Sequence, residues 1–274
     1  MAEKAATRAS RDPGLNYCKG LSHRYLNNPV EANRCFNLAR RDARWGAQAR
    51  YHMIEIYLDP NKDAFLGTDN SGENGSPMEH INDAQRLLQE LPRRRPGEAD
   101  KAKMLDCYWK MAAGGKSEWE SVVKECMAMP GGQTDNVPAM LCMAVAHVRL
   151  KQQPKARNIL KRICKFEYNP EQADEFERAL LMLSDLYIQS GKFDLVQGLC
   201  KRCLQNNQSC AKAWEYLGLV MEKEQSYADA ADAYERAWHY ENERSASVGF
   251  KLAFNYLKAK RCATYSVPAA LRAH

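Results

Sequence analysis

The sequence predicts an all-α protein, an α-solenoid built from antiparallel helix pairs. Three observations support this fold class: apolar residues recur at helical spacing, small residues pair across turns at a separation of 12, and the pattern has a 34-residue period. Two helices approach each other most closely where each carries a small side chain. The repeated spacing therefore indicates consecutive helices that pack face to face.

The clearest repeat spans 211–244 and defines the pattern. One face of its first helix carries an aromatic residue, then a Leu-Gly pair, then a large residue. The facing side of its second helix carries an aromatic residue between two small ones. These residues are Trp214, Leu217, Gly218 and Met221, followed by Ala230, Tyr234 and Ala237. The pattern resembles the tetratricopeptide repeat (TPR), a helix–turn–helix unit of about 34 residues. We therefore expect a TPR-type α-solenoid.

The same spacing predicts three further clear repeats, at 13–46, 137–170 and 177–210. In each, a first-helix residue is followed after 12, 16 and 19 positions by second-helix residues that face it. These packing positions are Gly20, Ala32, Phe36 and Ala39; Ala144, Ala156, Leu160 and Ile163; and Ser184, Val196, Cys200 and Cys203. We interpret all of them as structural positions.

Two degenerate helix pairs are predicted between the clear repeats, at 47–91 and 98–130. The first pair is interrupted by an insertion at 59–79 that is rich in Gly, Asn, Asp and Ser, and we expect this insertion to be mobile. The solenoid as a whole is predicted to span 13–261. Its ends are predicted to be a disordered tail at 1–12, an incomplete last repeat at 245–261 and a divergent tail at 262–274.

Cys200 and Cys203 form a CxxC, a spacing that metal sites and redox disulfides favour. In the repeat register, however, they stand where Tyr234 and Ala237 stand in the next repeat, so they are predicted to be packing residues. A zinc site would need two more ligands, and the nearest candidates are Cys210 and His239. We expect no metal and no cofactor.

Composition and motifs argue against several function classes. The net charge of +6 is spread over 40 basic and 34 acidic residues, which does not indicate nucleic-acid binding. No apolar run approaches the length of a membrane span, so no direct membrane insertion is expected. No arrangement of catalytic residues is present. We therefore predict no enzyme activity and no small-molecule substrate.

Four stretches resemble the C-terminal region of the tetratricopeptide repeat protein 21 family. They read NYCKGLSHRYLNNPVEANRCFNLARRDARWGAQA, HMIEIYLDPNKD, the unit Leu217–Trp238, and GFKLAFNYLKAKR. The resemblance covers most of 13–261 and ends after Arg261, and family members are several times longer. It implies a non-catalytic scaffold that contacts other subunits of intraflagellar transport complex A. It also implies retrograde ciliary transport and ciliary cargo entry, with localisation to the cilium or flagellum, the basal body and the cytoplasm.

The first helices of such arrays line a concave surface. The candidate groove positions are Tyr17, Leu21, Leu141, Val145, Leu181, Ile188, Tyr216 and Leu219. An apolar groove suits an amphipathic helix or another solenoid segment. The alternative is a generic TPR adaptor or co-chaperone-like module that binds a partner peptide, and clamping an acidic peptide would require Lys, Arg and Asn at these positions. It is equally open that these residues contact only adjacent turns of the array.

The register itself can be tested by substitution. Replacing Gly218 or Ala230 with Leu is predicted to disrupt the repeat at 211–244, because a large side chain would overpack the closest point between its helices. Circular dichroism and thermal melting measure the effect. Unchanged helicity and an unchanged melting temperature in both variants would contradict the register.

Overall fold

The computed structural model describes residues 12–26, 28–58, 77–92, 96–132 and 134–259. Within these ranges the chain forms thirteen α-helices and a short 3-10 turn, and it contains no β-strand. The predicted all-α fold class is confirmed. No helix in these ranges combines the length and apolar character needed to cross a membrane. The chain divides into two compact units, one ending at Gln152 and one beginning at Gln153.

The described residues of unit 1 form seven helices, and each packs against the next along the chain. They are α1 (Pro13–Tyr25), α2 (Pro29–Ala39), α3 (Gly46–Tyr57), α4 (Pro77–Gln89), α5 (Pro96–Ala113), α6 (Lys116–Met127) and α7 (Val137–Arg149). Two contacts skip a helix, because α3 also touches α5 and α5 also touches α7. Contacts of this kind between alternate helices are expected where helix pairs stack in a row.

In unit 2 the described residues, 153–259, form six helices and the 3-10 turn Pro170–Gln172. The helices are α8 (Gln153–Ile163), α9 (Ala173–Gln189), α10 (Phe193–Asn206), α11 (Ala211–Lys223), α12 (Tyr227–Tyr240) and α13 (Ala246–Lys258). Consecutive helices pack together, and α9 also touches α11. The unit therefore repeats the arrangement of unit 1.

Several helices begin where an Asp or Asn side chain precedes a proline. The Asp12 carboxylate accepts a hydrogen bond from the backbone N–H of Leu15 at 2.7 Å, and Asn136 accepts one from Ala139 at 3.0 Å. Each side chain satisfies one amide that has no partner inside the helix. Proline at the first or second helical position also favours the start of the helix, because its ring fixes φ at a helical value.

The first helix of each clear repeat ends in the same turn. A backbone N–H beyond the helix donates to a carbonyl five residues earlier, which is the long bond of the Schellman motif. The four bonds run from Asn28 to His23 (2.8 Å), Gln152 to His147 (2.8 Å), Lys192 to Tyr187 (2.9 Å) and Ser226 to Met221 (2.9 Å). The turn residue has a positive φ of 58° at Lys151, 71° at Gly191 and 63° at Gln225.

Glycine allows two helix pairs to pack around a buried aromatic ring. A Cβ added to Gly20 would lie 2.5 Å from the ring of Phe36, and one added to Gly218 would lie 2.9 Å from the ring of Tyr234. Both rings are fully buried. The rings of Phe36 and Tyr234 can therefore lie this close only because Gly20 and Gly218 have no Cβ.

Parts of the predicted domain layout lie outside the described residues. These parts are 1–11, 59–76 and 260–274. They include most of the predicted N-terminal tail, most of the insertion at 59–79 and all of the divergent C-terminal tail at 262–274. Within the described residues, 77–79 form the start of α4 rather than the end of an insertion. The predicted repeat 137–170 is divided between the two units: Ala144 lies in unit 1 and Ala156 in unit 2, and both are fully buried.

Gly218 and Gly198 provide a matched pair of substitutions in unit 2. Gly218→Ala is expected to lower the free energy of unfolding by about 1–2 kcal/mol, because the new methyl group displaces the buried Tyr234 ring. Gly198 lies on an exposed face of α10 with no atom within 4 Å of an added Cβ. Gly198→Ala is therefore expected to raise the same quantity by about 0.5–1 kcal/mol through helix propensity. Urea titration measures both changes, and a shift of the same sign in the two variants would contradict this account.

Candidate protein-binding groove

A large apolar groove lies in unit 2 between α10, α11, α12 and α13, and we call it the terminal groove. Its volume is about 1260 Å³. Its apolar lining includes Trp214, Leu217, Met221, Trp238, Leu252 and Leu257. Because these side chains come from three different helices, the surface depends on how the helices pack.

The packing of α13 on α12 shapes the groove. The ring of Trp238 lies so close to Gly249 that an added Cβ would sit 2.7 Å from it. Val248 and Leu252 are buried in the same cluster as Ala237 and Trp238. The inner face of α13 is therefore packed against α12, and Leu252, Ala253 and Leu257 of this helix form one wall of the groove.

The opposite wall is held in place by Trp214. Its indole N–H donates to the backbone carbonyl of Gln208 at 2.9 Å, and the guanidinium of Arg236 lies 4.5 Å from its ring centroid. A cation over the face of an indole ring is electrostatically favourable. These contacts hold the tryptophan as a rigid part of the groove surface.

Large apolar side chains on α13 are exposed to solvent. The exposed fractions are 70% for Phe250 and 65% for Leu257, and the face between them also contains the half-buried Ala253. Ala253 lies 35 positions after Gly218, and each is the eighth residue of its helix. In α11, the ring of Tyr234 on the next helix covers Gly218. The exposed face of α13 is thus equivalent to a face that a following helix covers in α11.

The rim of the groove carries both signs of charge. Asp232, Glu235 and Glu243 contribute carboxylates, whereas Lys201 and Arg236 contribute cations. A site that clamps an acidic peptide requires a cluster of cations without competing carboxylates. The terminal groove lacks that cluster, so its chemistry favours an apolar ligand with mixed charge at its edges.

A buried carboxylate joins α11 to α13 next to this groove. Glu215 accepts hydrogen bonds from Lys212 at 2.6 Å and from Lys251 at 2.7 Å. Burial alone would raise the pKa of Glu215, but the two ammonium groups outweigh burial and lower it. Glu215 is therefore ionised in the folded protein and links the two helices as a charged group.

A second carboxylate, Glu222, joins three helices. It accepts hydrogen bonds from the Tyr234 hydroxyl at 3.2 Å and from the Asn255 amide at 3.0 Å. Burial and the neighbouring Glu222 charge raise the pKa of Tyr234, so its hydroxyl stays protonated and remains a donor. Since Glu222 lies on α11, Tyr234 on α12 and Asn255 on α13, this network fixes the helices that form the groove.

Comparison with known proteins identifies the family. The family model for the tetratricopeptide repeat protein 21 C-terminal ARM domain matches residues 83–268. This chain belongs to the tetratricopeptide repeat protein 21 family. The model for the TT21 fifth ARM repeats domain matches residues 1–58. The C-terminal match continues to residue 268, beyond Arg261, where the sequence analysis placed the end of the resemblance.

Relatives in this family match nearly the whole chain. Human tetratricopeptide repeat protein 21B is 44% identical over 271 residues, which cover 95% of this chain and 21% of the relative. Human tetratricopeptide repeat protein 21A is 38% identical, covering 95% and 20%, and the Caenorhabditis elegans homolog is 32% identical, covering 95% and 20%. The chain thus spans about a fifth of the length of these relatives.

A solved structure of different sequence has a similar fold. The crystal structure of the APC/C hetero-tetramer Cut9-Hcn1 matches with a TM-score of 0.61 at 13% identity. The match covers 92% of this chain and 44% of that chain. At this level of identity, the similarity extends to the helical-repeat fold alone.

The eight predicted groove positions do not line the terminal groove. Leu141 and Val145 are buried, because α7 has no exposed face between Ala139 and His147, so their prediction as exposed groove residues is wrong. The other six are half-buried: Tyr17, Leu21, Leu181, Ile188, Tyr216 and Leu219. The observed groove instead involves Trp214 and Leu217, which the sequence analysis assigned to packing.

Two of these half-buried tyrosines contact other parts of their own unit. Tyr17 stacks on Trp45 with ring centroids 5.0 Å apart, and its hydroxyl lies 3.2 Å from the Nε2 of His52. Tyr216 donates a hydrogen bond to Asp185 on α9 at 3.5 Å. These contacts agree with the alternative that such residues serve the packing of neighbouring helices.

Cys200 and Cys203 lie in the core of unit 2 and are almost fully buried. Burial raises the pKa of Cys200 to about 12, and interaction with Cys210 together with burial raises the pKa of Cys203. Thiols with raised pKa values are poor nucleophiles at neutral pH. The sulfur of Cys203 lies with Cys210 and Glu177, whereas His239, the other proposed zinc ligand, is exposed and is not part of this group.

The Glu215 link predicts a pH-dependent stability. Glu215→Gln is expected to lower the free energy of unfolding at pH 7 by about 1–2 kcal/mol, because the amide leaves two ammonium groups without their counter-ion. The folded pKa of Glu215 lies below the unfolded value of about 4.3, so its contribution is complete above that pH. The difference between the proteins should therefore shrink as the pH falls through the lowered pKa.

Glu224, which is exposed just after α11, provides the matched control. Glu224→Gln is expected to leave both the stability and its pH dependence nearly unchanged. Urea titrations from pH 3 to pH 7 compare the three proteins. Equal curves for the two variants would show that Glu215 does not link α11 to α13.

Proposed function

We propose that this chain is a C-terminal portion of a non-catalytic subunit of intraflagellar transport complex A. In this role it provides a repeat scaffold that contacts other subunits of the complex, at the cilium or flagellum, the basal body and in the cytoplasm. The process served is retrograde ciliary transport together with ciliary cargo entry. Membership of the tetratricopeptide repeat protein 21 family and the helical-repeat fold support a scaffold function.

The terminal groove is the observation that carries the binding part of this proposal. Its floor is apolar, and Ala253 and Leu257, on the exposed face of α13, form part of one wall. The equivalent face of α11 is covered by the helix that follows it. Exposed apolar patches of this kind mark interaction sites. The ligand that fits is an amphipathic helix, because helix-in-groove binding uses an apolar stripe against such a surface.

The register indicates how this helix would bind. Gly218 on α11 is covered by the aromatic ring of Tyr234, and Ala253 presents the equivalent small side chain on α13. We therefore expect the bound helix to place a large apolar side chain over Ala253. Polar residues at its edges would meet the carboxylates and cations of the rim. In the proposed assembly, another subunit of the complex supplies this helix.

The generic adaptor function has less support. Capture of an acidic peptide depends on converging cations, and the rim of the terminal groove includes three carboxylates from Asp232, Glu235 and Glu243. Like charges placed against a ligand lower its affinity.

A pair of leucine substitutions tests the proposal. The tagged chain is expressed in ciliated cells, and co-purifying complex A subunits are quantified by mass spectrometry. Leu257→Ser, in the groove, is expected to reduce their recovery about tenfold, as for the loss of one anchoring side chain. Leu195→Ser is the control, since Leu195 is 49% exposed on α10 and does not line the groove.

Both variants should melt like the parent chain, because the side chains are exposed. Equal recovery with the two variants would reject the groove as the binding site. Absence of complex A subunits from the parent sample would reject the proposed assembly itself.

A further inference from the structure

Three cysteine side chains meet in the interior of unit 1. Cys107 lies on α5, Cys126 on α6 and Cys142 on α7, and all three are fully buried. Their sulfur atoms lie within 4.8 Å of one another. The cysteines are 19 and 16 positions apart in the sequence, so no CxxC or other short motif marks them as a set. We call them the thiol cluster.

The thiols converge because their helices converge. The three helices contact one another pairwise, since α5 touches α6, α6 touches α7 and α5 also touches α7. Each helix directs one cysteine toward the point where the three meet. A thiol is small enough for this crowded position, and packing alone is a sufficient reason for one or two cysteines. Three sulfur atoms this close together also provide enough soft ligands for a three-coordinate metal ion.

The spacing suits a metal ion. A triangle with sides of at most 4.8 Å contains a point no more than about 2.8 Å from all three corners. Bonds between metal ions and cysteine sulfur are about 2.3 Å long, as in zinc sites. A movement of about half an ångström by each sulfur therefore brings all three into bonding distance. Small side-chain rotations are enough for such a movement.

The nearby carboxylate is committed to other partners. Glu125 lies 3.9 Å from the sulfur of Cys107, and it is held by Lys110 at 2.9 Å and by the Ser121 hydroxyl at 3.0 Å. It is not among the atoms that lie within 4.8 Å of one another in the cluster. Structural zinc sites are almost always four-coordinate and tetrahedral. Three sulfurs with no fourth ligand atom among the described residues instead suit Cu(I), which soft thiolate ligands select.

We propose that Cys107, Cys126 and Cys142 form a three-coordinate binding site for Cu(I). Each thiol that binds as a thiolate releases its proton to solvent, and the copper keeps its oxidation state throughout. The bound ion would tie α5, α6 and α7 together inside unit 1. This site is independent of the terminal groove, and it differs from the sequence-based expectation that the chain binds no metal.

The test uses the full chain, purified without oxygen and with its thiols reduced. Cu(I) is supplied in a complex with a coloured chelator, and the copper transferred to the protein is measured. The parent chain is expected to bind one additional Cu(I) ion with high affinity, compared with the Cys126→Ala variant. The remaining affinity of that variant for Cu(I) is expected to be at least a hundredfold weaker.

Cys203→Ala is the matched control. It removes a buried thiol from the group of Cys203, Cys210 and Glu177 in unit 2 and leaves the thiol cluster intact. It should bind the same tightly held ion as the parent chain. X-ray absorption of the loaded parent should show three sulfur neighbours around copper. Bound Cu(I) should also raise the melting temperature of the parent and of Cys203→Ala, but not that of Cys126→Ala.

Cys142→Ser serves as a second variant of nearly the same size, in case Cys126→Ala melts far below the parent. The proposal would be overturned if tight Cu(I) binding survived both cluster substitutions, or if the Cys203→Ala variant lost it. It would also be overturned if the chain preferred Zn(II) with four ligands, or if no copper were transferred to the reduced parent chain. A disulfide between two of the cluster cysteines in the anaerobic protein would also overturn it.

Discussion

The close contact between a glycine on one helix and an aromatic ring on the next determines how the best-formed helix pairs pack. Gly20 faces Phe36 in unit 1, and Gly218 faces Tyr234 in unit 2. Because glycine has no Cβ, the ring can lie directly on the backbone of the facing helix. The ring then excludes water completely, and the small residues on either side of it, such as Ala230 and Ala237, are buried as well.

The polar contacts of unit 2 depend on this packing. Tyr234 fills the space beside Gly218 while its hydroxyl reaches Glu222 at the edge of the core. The same carboxylate binds Asn255 on α13, and the adjacent Glu215 binds Lys251. Charged groups at half-buried positions stabilise a structure only when their partners are held close. The aromatic contact supplies that positioning, and the wall of the terminal groove formed by α13 follows from it.

The sequence was sufficient to predict the helix pairs at 13–46, 177–210 and 211–244, because the contacts between their packing positions join residues fewer than twenty positions apart. The spacing from Gly218 to Ala230 and Tyr234 is visible without any knowledge of distant elements. The burial of Leu141 and Val145 was not predictable in this way, since α7 has no exposed face from Ala139 to His147, whereas the repeat pattern assumes an exposed face on each first helix. The thiol cluster was missed because its three cysteines come from three helices and follow no short motif. The terminal groove was not predicted either, since its lining combines side chains from four helices, α10 to α13.

The turn shared by the clear repeats affects how the chain reaches this structure. Each turn is closed by a hydrogen bond between residues five positions apart, and the left-handed residue is lysine, glycine and glutamine in the turns at 151, 191 and 225. The reversal of chain direction is thus encoded within each repeat and needs no contact from elsewhere. Proteins dominated by such local contacts have low contact order and fold rapidly. In a helical-repeat protein, any of these hairpins can therefore act as a nucleus from which structure spreads to its neighbours.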